Sequence, residues 1–179
     1  STFSKILFPG LRVGWLAAPK QVVKRLAPLK RAMDLSTNGL AQAVLYEFCR
    51  RGLLTQHLER VREEYRRGRD TMAQALTEQL PKLRWQLPAG GFFIWSRLPS
   101  GVDGRALLRE AAAEGVIFLP GEFFFADGQG QEWIRLTFIS QPPKLIEEGM
   151  RRLARALRRV VRRKQKKARE KTAVTRPIV

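Results

Sequence analysis

The most informative part of the sequence is its beginning, which reads STFSKILFPGLRVGW over residues 1–15. It places hydroxyl groups around a lysine, then a turn, then an arginine before an apolar segment: Thr2, Ser4, Lys5, Pro9, Gly10 and Arg12. An arginine offers a planar, permanently charged fork of donors, and hydroxyls add neutral donors, so this set suits a phosphate dianion. A lysine beside a bound phosphate-bearing aldehyde can bond to it covalently and can carry protons.

A plainer interpretation exists for the same residue types. Lys5 could be an ordinary surface lysine, and Arg12 could have a structural role in a turn. The residue types alone leave both interpretations open, and the pattern of the whole stretch favours the first.

That pattern resembles the lysine segment of the fold-type I aminotransferases that use pyridoxal 5'-phosphate, class I/II. It is most similar to the 2-aminoadipate and kynurenine aminotransferase branch and to the aminotransferase-like domains of MocR-type regulators. The family motif, Ser/Thr-x-Ser-Lys and then Pro-Gly-x-Arg-x-Gly, is matched by residues 2–5 and 9–14. The resemblance implies that Lys5 is the catalytic lysine and bonds to pyridoxal 5'-phosphate. It also implies that Thr2, Ser4 and Arg12 bind that cofactor with Lys5, and that Gly14 permits close backbone approach.

The resemblance continues through most of the chain, including PAGGFFIW at residues 88–95 and IRLTF at residues 134–138. In the family, the second segment carries the arginine that grips the substrate carboxylate, which corresponds to Arg135. A bidentate arginine–carboxylate contact fixes an amino acid in a defined orientation. The alternative for Arg135 is an ion pair at a strand edge.

Hydrophobic periodicity predicts the elements. Helices are expected from residue 20, over 40–51, over 55–80, over 104–113 and from 142, and strands over 12–18, 83–87, 92–98, 116–119 and 133–138. The fold class is α/β, and the resemblance implies the C-terminal part of a fold of the pyridoxal-phosphate-dependent transferases. Residues 1–52 would end the large domain, 53–80 form a long interdomain helix, 81–163 form a small α+β domain, and 164–179 form a basic disordered tail.

Composition excludes several classes of protein. The single cysteine and the single histidine among 179 residues rule out a disulfide scaffold and a Cys- or His-built metal site, so we expect no metal. Apolar runs stay short of the ~18 residues that span a bilayer, so no membrane association is expected. Lysine and arginine number 34 against 16 acidic residues, a net charge of +18. Residues 151–179 hold thirteen of the basic residues and one acidic residue, a net +12.

In the family, the residues that pair the pyridine nitrogen and stack on the cofactor ring precede the lysine. We therefore expect this chain to be a C-terminal fragment, inactive alone, of an aminotransferase that converts an amino acid to a 2-oxo acid. The full-length protein is expected to be a cytoplasmic homodimer.

Two alternatives belong to other classes. In a MocR/GntR-type transcriptional regulator, this fold would sense a small molecule while an upstream helix-turn-helix segment binds DNA. In a nucleic-acid-binding module, the basic tail would neutralise phosphates. The tail is also compatible with a solvated helix face, and it has no interleaved aromatic residues for stacking bases.

Overall fold

A computed structural model describes the backbone of residues 1–174 and the side chains of residues 1–166. The chain divides into two compact units, one over Ser1–Glu63 and one from Glu64 onward. The division into the end of a large domain, an interdomain helix and a small domain stays a prediction.

The first unit contains a short 3-10 turn and two helices before the start of a long third helix. The turn is Pro9–Leu11, α1 is Lys20–Asp34, α2 is Gly39–Arg50, and α3 is Leu53–Gln79. Pro28 lies inside α1 without ending it. Asn38 caps α2, because its side-chain oxygen accepts a hydrogen bond from the backbone N–H of Ala41 at 3.0 Å.

The strand predicted over residues 12–18 is wrong. Its pairing is limited to a single antiparallel bridge between Thr2 and Gly14. A strand needs a neighbour along its length, and here the neighbouring chain turns away after two residues. The segment therefore closes a loop and adds no strand.

The second unit is built on a four-stranded antiparallel sheet with strand order β1-β2-β4-β3. The strands are β1 Arg84–Trp85, β2 Phe93–Arg97, β3 Leu119–Pro120 and β4 Trp133–Thr137. Helix α4 spans Gly104–Ala113, as predicted, and α5 spans Pro143–Val174. The predicted strand over 116–119 is shorter than expected, because the backbone N–H of Val116 still bonds to Ala111 at the end of α4.

Side chains alternate between the two faces of the sheet. Ile94 on β2 and Ile134 on β4 are fully buried. They belong to a core that includes Leu76 of α3, Leu107 of α4 and Leu153 of α5. The residues between them point to the opposite face, which carries the side chains of Trp95 and Arg135.

Helix α5 continues to Val174, so the backbone of residues 164–174 is helical where the sequence predicts a disordered tail. Lysine, arginine, glutamine and alanine are strong helix formers, and extending an existing helix requires no new nucleation. Residues 175–179 of the predicted tail lie outside the described residues. Among the described residues, no helix combines the length and the apolar character that a membrane span requires.

Basic residues of α5 pair with Glu110 of α4 and with Glu114, which follows the last residue of α4. Arg159 contacts Glu110 at 3.2 Å and Glu114 at 2.7 Å. Arg155 contacts Glu114 at 2.9 Å, and Arg163 pairs with Glu110. Part of the positive charge of α5 is therefore neutralised within the second unit.

Gly68 lies in the interior of α3, where helix propensity disfavours glycine. Glycine in a helix interior costs about 1 kcal/mol against alanine. Here the residue is buried, and a Cβ atom would overlap the carbonyl oxygen of Phe138. The helix packs directly on that backbone, which only glycine permits.

We expect Gly68→Ala to destabilise the protein by about 1–3 kcal/mol, because either the helix or the Phe138 segment must move. Urea unfolding measures the change. The matched control is Gly149→Ala in α5, where a Cβ meets nothing within 4 Å. That control is expected to gain about 0.5–1 kcal/mol from helix propensity. A gain of stability in both variants would contradict the close packing.

The α4–α5 ion pairs predict a dependence on pH. Hydrogen bonds from Arg159 and then Arg155 hold the pKa of Glu114 below its ordinary value of 4.5. A lowered pKa contributes stability above the unfolded-state pKa, and this contribution is lost as pH falls through the lowered value. Glu114→Gln should therefore lower the melting temperature at pH 7, and its deficit against wild type should shrink below pH 4.5.

The control for this experiment is Glu147→Gln, an exposed glutamate of α5. Its deficit at pH 7 should be smaller than that of Glu114→Gln. An equal deficit for Glu114→Gln at pH 7 and at pH 3 would contradict the prediction.

Candidate functional site

The first fifteen residues form a closed loop. The backbone N–H of Phe3 donates to the carbonyl of Val13 at 3.1 Å, and that of Trp15 donates to Ser1 at 2.8 Å. Gly14 allows this closure, because a Cβ atom there would lie 3.0 Å from the carbonyl oxygen of Ser1. The two ends of the motif are thus held together by backbone contacts.

Two hydroxyl groups meet at the start of this loop. The Thr2 hydroxyl oxygen accepts a hydrogen bond from the backbone N–H of Ser4 at 3.1 Å. The same oxygen lies 3.0 Å from the Ser4 hydroxyl and 3.3 Å from the carbonyl of Val13. The Thr2 side chain therefore joins the turn before Lys5 to the residue after Arg12.

Arg12 occupies a strained backbone conformation. Its φ angle is +53°, in the left-handed region that non-glycine residues rarely adopt. Its Nη1 donates to the carbonyl of Pro9 at 3.2 Å, across the 3-10 turn. Strain of this kind persists only where the surrounding structure enforces it, and it is common in binding segments.

The structure brings Thr2, Ser4, Lys5 and Arg12 into this one loop, with Lys5 and Arg12 both exposed. An amine, two hydroxyls and a guanidinium in one closed turn fit the aldehyde and the phosphate of pyridoxal phosphate. The donor set is compatible with the cofactor that the sequence implies.

Arg135 lies in the second unit, on the open face of the sheet. On β4 it is flanked by Trp95 of β2 and Leu119 of β3. Its guanidinium carbon is 4.0 Å from the ring centroid of Phe93 and 4.2 Å from that of Phe124. The guanidinium of Arg135 is thus in close contact with two aromatic rings.

The hydrogen bonds of Arg135 are incomplete. Its Nε atom is buried and has no hydrogen-bond partner among the residues whose side chains are described. Within the same part of the chain, no ion pair joins Arg135 to a carboxylate, so the strand-edge ion pair considered above is not observed. A buried donor without an acceptor costs free energy, and a bound anion would satisfy it.

Phe124 was not identified from the sequence as a residue in contact with Arg135. It ends a 3-10 turn, Gly121–Phe124, in a run of three phenylalanines. A Cβ atom on Gly121 would overlap Trp133, and one on Gly130 would overlap the ring of Phe125. The spacing of these glycines around an aromatic run was the available signal for a tightly packed loop.

Comparisons with known proteins identify the family of the chain. The sequence model described as "Aminotransferase class I and II" matches residues 1–153. Aromatic-amino-acid aminotransferase 1 of Thermococcus litoralis is 40% identical over 158 residues, covering 88% of this chain and 38% of that protein. The transcriptional regulator TauR of Rhodobacter capsulatus is 35% identical over 158 residues, covering 88% of this chain and 33% of TauR.

Among solved structures, the chain is similar to LysN, the alpha-aminoadipate aminotransferase from Thermus thermophilus, complexed with N-(5'-phosphopyridoxyl)-L-leucine. The TM-score is 0.85 at 38% identity, over 89% of this chain and 41% of LysN. The chain spans about two fifths of the length of these aminotransferases. The predicted α/β fold of the pyridoxal-phosphate-dependent transferases is confirmed. Because the family model covers residues 1–153 of 179, the chain belongs to the aminotransferase class I and II family.

Proposed function

We propose that the protein is a pyridoxal-phosphate-dependent aminotransferase that converts an amino acid to a 2-oxo acid. The observation that carries this proposal is the closed loop of residues 1–15, which contains Thr2, Ser4, Lys5 and Arg12 and in which the Thr2 and Ser4 hydroxyls lie 3.0 Å apart.

In this proposal, the residues of the loop have two different tasks. Thr2, Ser4 and Arg12 bind the phosphate, which anchors the cofactor through charge-assisted hydrogen bonds. Lys5 would hold the aldehyde end of the cofactor through its Nζ atom. Once the substrate amine has replaced it there, Lys5 would be a free amine and would accept the proton from the substrate Cα. When bound, pyridoxal phosphate supplies an electron sink for the pair left on that carbon.

Arg135 would bind the substrate α-carboxylate. Its unsatisfied Nε and its position on an open sheet face support this role. A bidentate contact would fix the amino acid with its Cα–H bond directed at the cofactor plane, which lowers the entropy cost of proton transfer. A homodimer and a cytoplasmic location remain part of the proposal, supported by the resemblance to the family.

A second candidate function is that of a transcriptional regulator whose aminotransferase-like part senses a small molecule. The similarity to TauR favours it. Specific binding of the natural protein to its own promoter DNA, with no turnover of amino acids, would support the regulator over the enzyme. Phosphate binding by the basic helix is less favoured, because Arg155, Arg159 and Arg163 already pair with glutamates.

The first test of the proposal is Lys5→Ala in the natural protein loaded with pyridoxal phosphate. Borohydride should fix a pyridoxyl group on wild type, and peptide mass spectrometry should locate it on Lys5. The variant should carry no adduct, because its attacking amine is gone. Lys24→Ala, an exposed lysine of α1, is the control and should label as wild type does. An adduct on another lysine in both proteins would refute the assignment.

The second test is Arg135→Ala. Loss of a charged hydrogen-bonding partner should raise KM for L-leucine and L-phenylalanine about ten- to a hundredfold, with cofactor labelling unchanged. Steady-state kinetics with 2-oxoglutarate as acceptor gives the values. Arg97→Ala is the matched control, since Arg97 lies on the same face but pairs with Glu132 at 3.1 Å. Equal KM values for the two variants would argue against the carboxylate role.

A further inference from the structure

The guanidinium of Arg135 lies against two aromatic rings. The ring centroid of Phe93 is 4.0 Å from the guanidinium carbon, and that of Phe124 is 4.2 Å from it. Cation–π contacts are counted out to about 6 Å, so both of these are close. Rings stacked on a guanidinium leave its N–H bonds free, because those bonds all lie in its plane.

The two rings are held by different means. Phe93 belongs to β2, where the sheet fixes its position opposite Thr137. Phe124 is 45% exposed and ends a short turn, so it depends on its neighbours. Its ring meets the ring of Trp95 edge-on, with centroids 5.5 Å apart and an interplanar angle of 86°.

Trp95 is itself fixed within an aromatic stack. It stacks on Trp133 at 5.6 Å and 15°, and on Phe125 at 6.2 Å and 24°. Aromatic pairs of these geometries contribute free energy beyond the area they bury. The turn is also tied to α4, since Glu122 forms an ion pair with Arg105. Phe124 is therefore held against Arg135 by contacts on two sides.

We propose that Phe124, supported by Trp95, is a positioning residue that clamps the guanidinium of Arg135 against Phe93, so that its in-plane N–H bonds face the substrate carboxylate. This inference rests on the proposed function of Arg135. The rings restrict rotation of the guanidinium before substrate arrives, which reduces the entropy lost on binding. They also exclude water from the parts of the guanidinium that they cover, which strengthens a charge-assisted hydrogen bond in its plane.

The test uses the natural protein and follows the Nε–H signal of Arg135 by NMR, assigned through its loss in Arg135→Lys. In wild type, ring currents should shift this signal upfield of the other arginine signals. Phe124→Leu should return it toward them and weaken binding of L-leucine, titrated on the same signal, by about three- to tenfold. Phe124→Tyr keeps the ring and should restore both the shift and the affinity.

Phe123→Leu is the matched control. Phe123 is the preceding residue, is 63% exposed and lies beside Arg105, so the same substitution should leave the signal and the affinity unchanged. Thermal unfolding checks that all variants fold. A wild-type affinity in Phe124→Leu would overturn the clamp, whether or not the shift is lost. If wild type does not turn over amino acids but the variants change the affinity for L-leucine as expected, the proposed aminotransferase activity is contradicted and the clamp is supported.

Discussion

The pairing of β2 with β4 determines both the core and the arginine site. Ile94 lies opposite Leu136, and Trp95 lies opposite Arg135. Because successive side chains in a strand point to opposite faces, a slip of one residue would drive the charged Arg135 into the core and expose Ile134. Burying an unpaired guanidinium costs far more than the hydrogen bonds of a short strand return. Apolar packing on one face therefore fixes the arginine on the other.

The first unit achieves its geometry by another route. Its loop is closed by a few backbone hydrogen bonds and one antiparallel bridge. The strained φ of Arg12 persists in this setting because the Pro9–Leu11 turn and the Val13 contacts hold the residues on both sides. The donors of the candidate phosphate site thus depend on local closure.

The sequence predicts best what depends on nearby residues. Asn38 and Asp103 are residue types that favour N-caps, and each accepts a hydrogen bond from the backbone N–H three residues later. The long helix begins and ends within a few residues of the prediction. These features follow from periodicity and capping, which act over a few residues.

The remaining differences depend on contacts between distant residues. The predicted strand at 12–18 lacks a neighbour of sufficient length, and the role of Phe124 depends on Trp95, which is 29 positions earlier in the chain. No local pattern reports such contacts, although the glycines that permit close packing are visible in the sequence.

The ladder of charges between α4 and α5 has a consequence for how the two helices find their alignment. Glu110 and Glu114 are four residues apart, as are Arg155, Arg159 and Arg163. The ion-pairing side chains therefore repeat about once per helical turn. Sliding α5 by one turn would pair the same glutamates with other arginines of the ladder, so the charges alone hardly distinguish the two alignments. The irregular shapes of the buried side chains, Leu107 against Leu153 and its neighbours, must make that choice. Electrostatics here tolerates several alignments, and steric fit selects one of them.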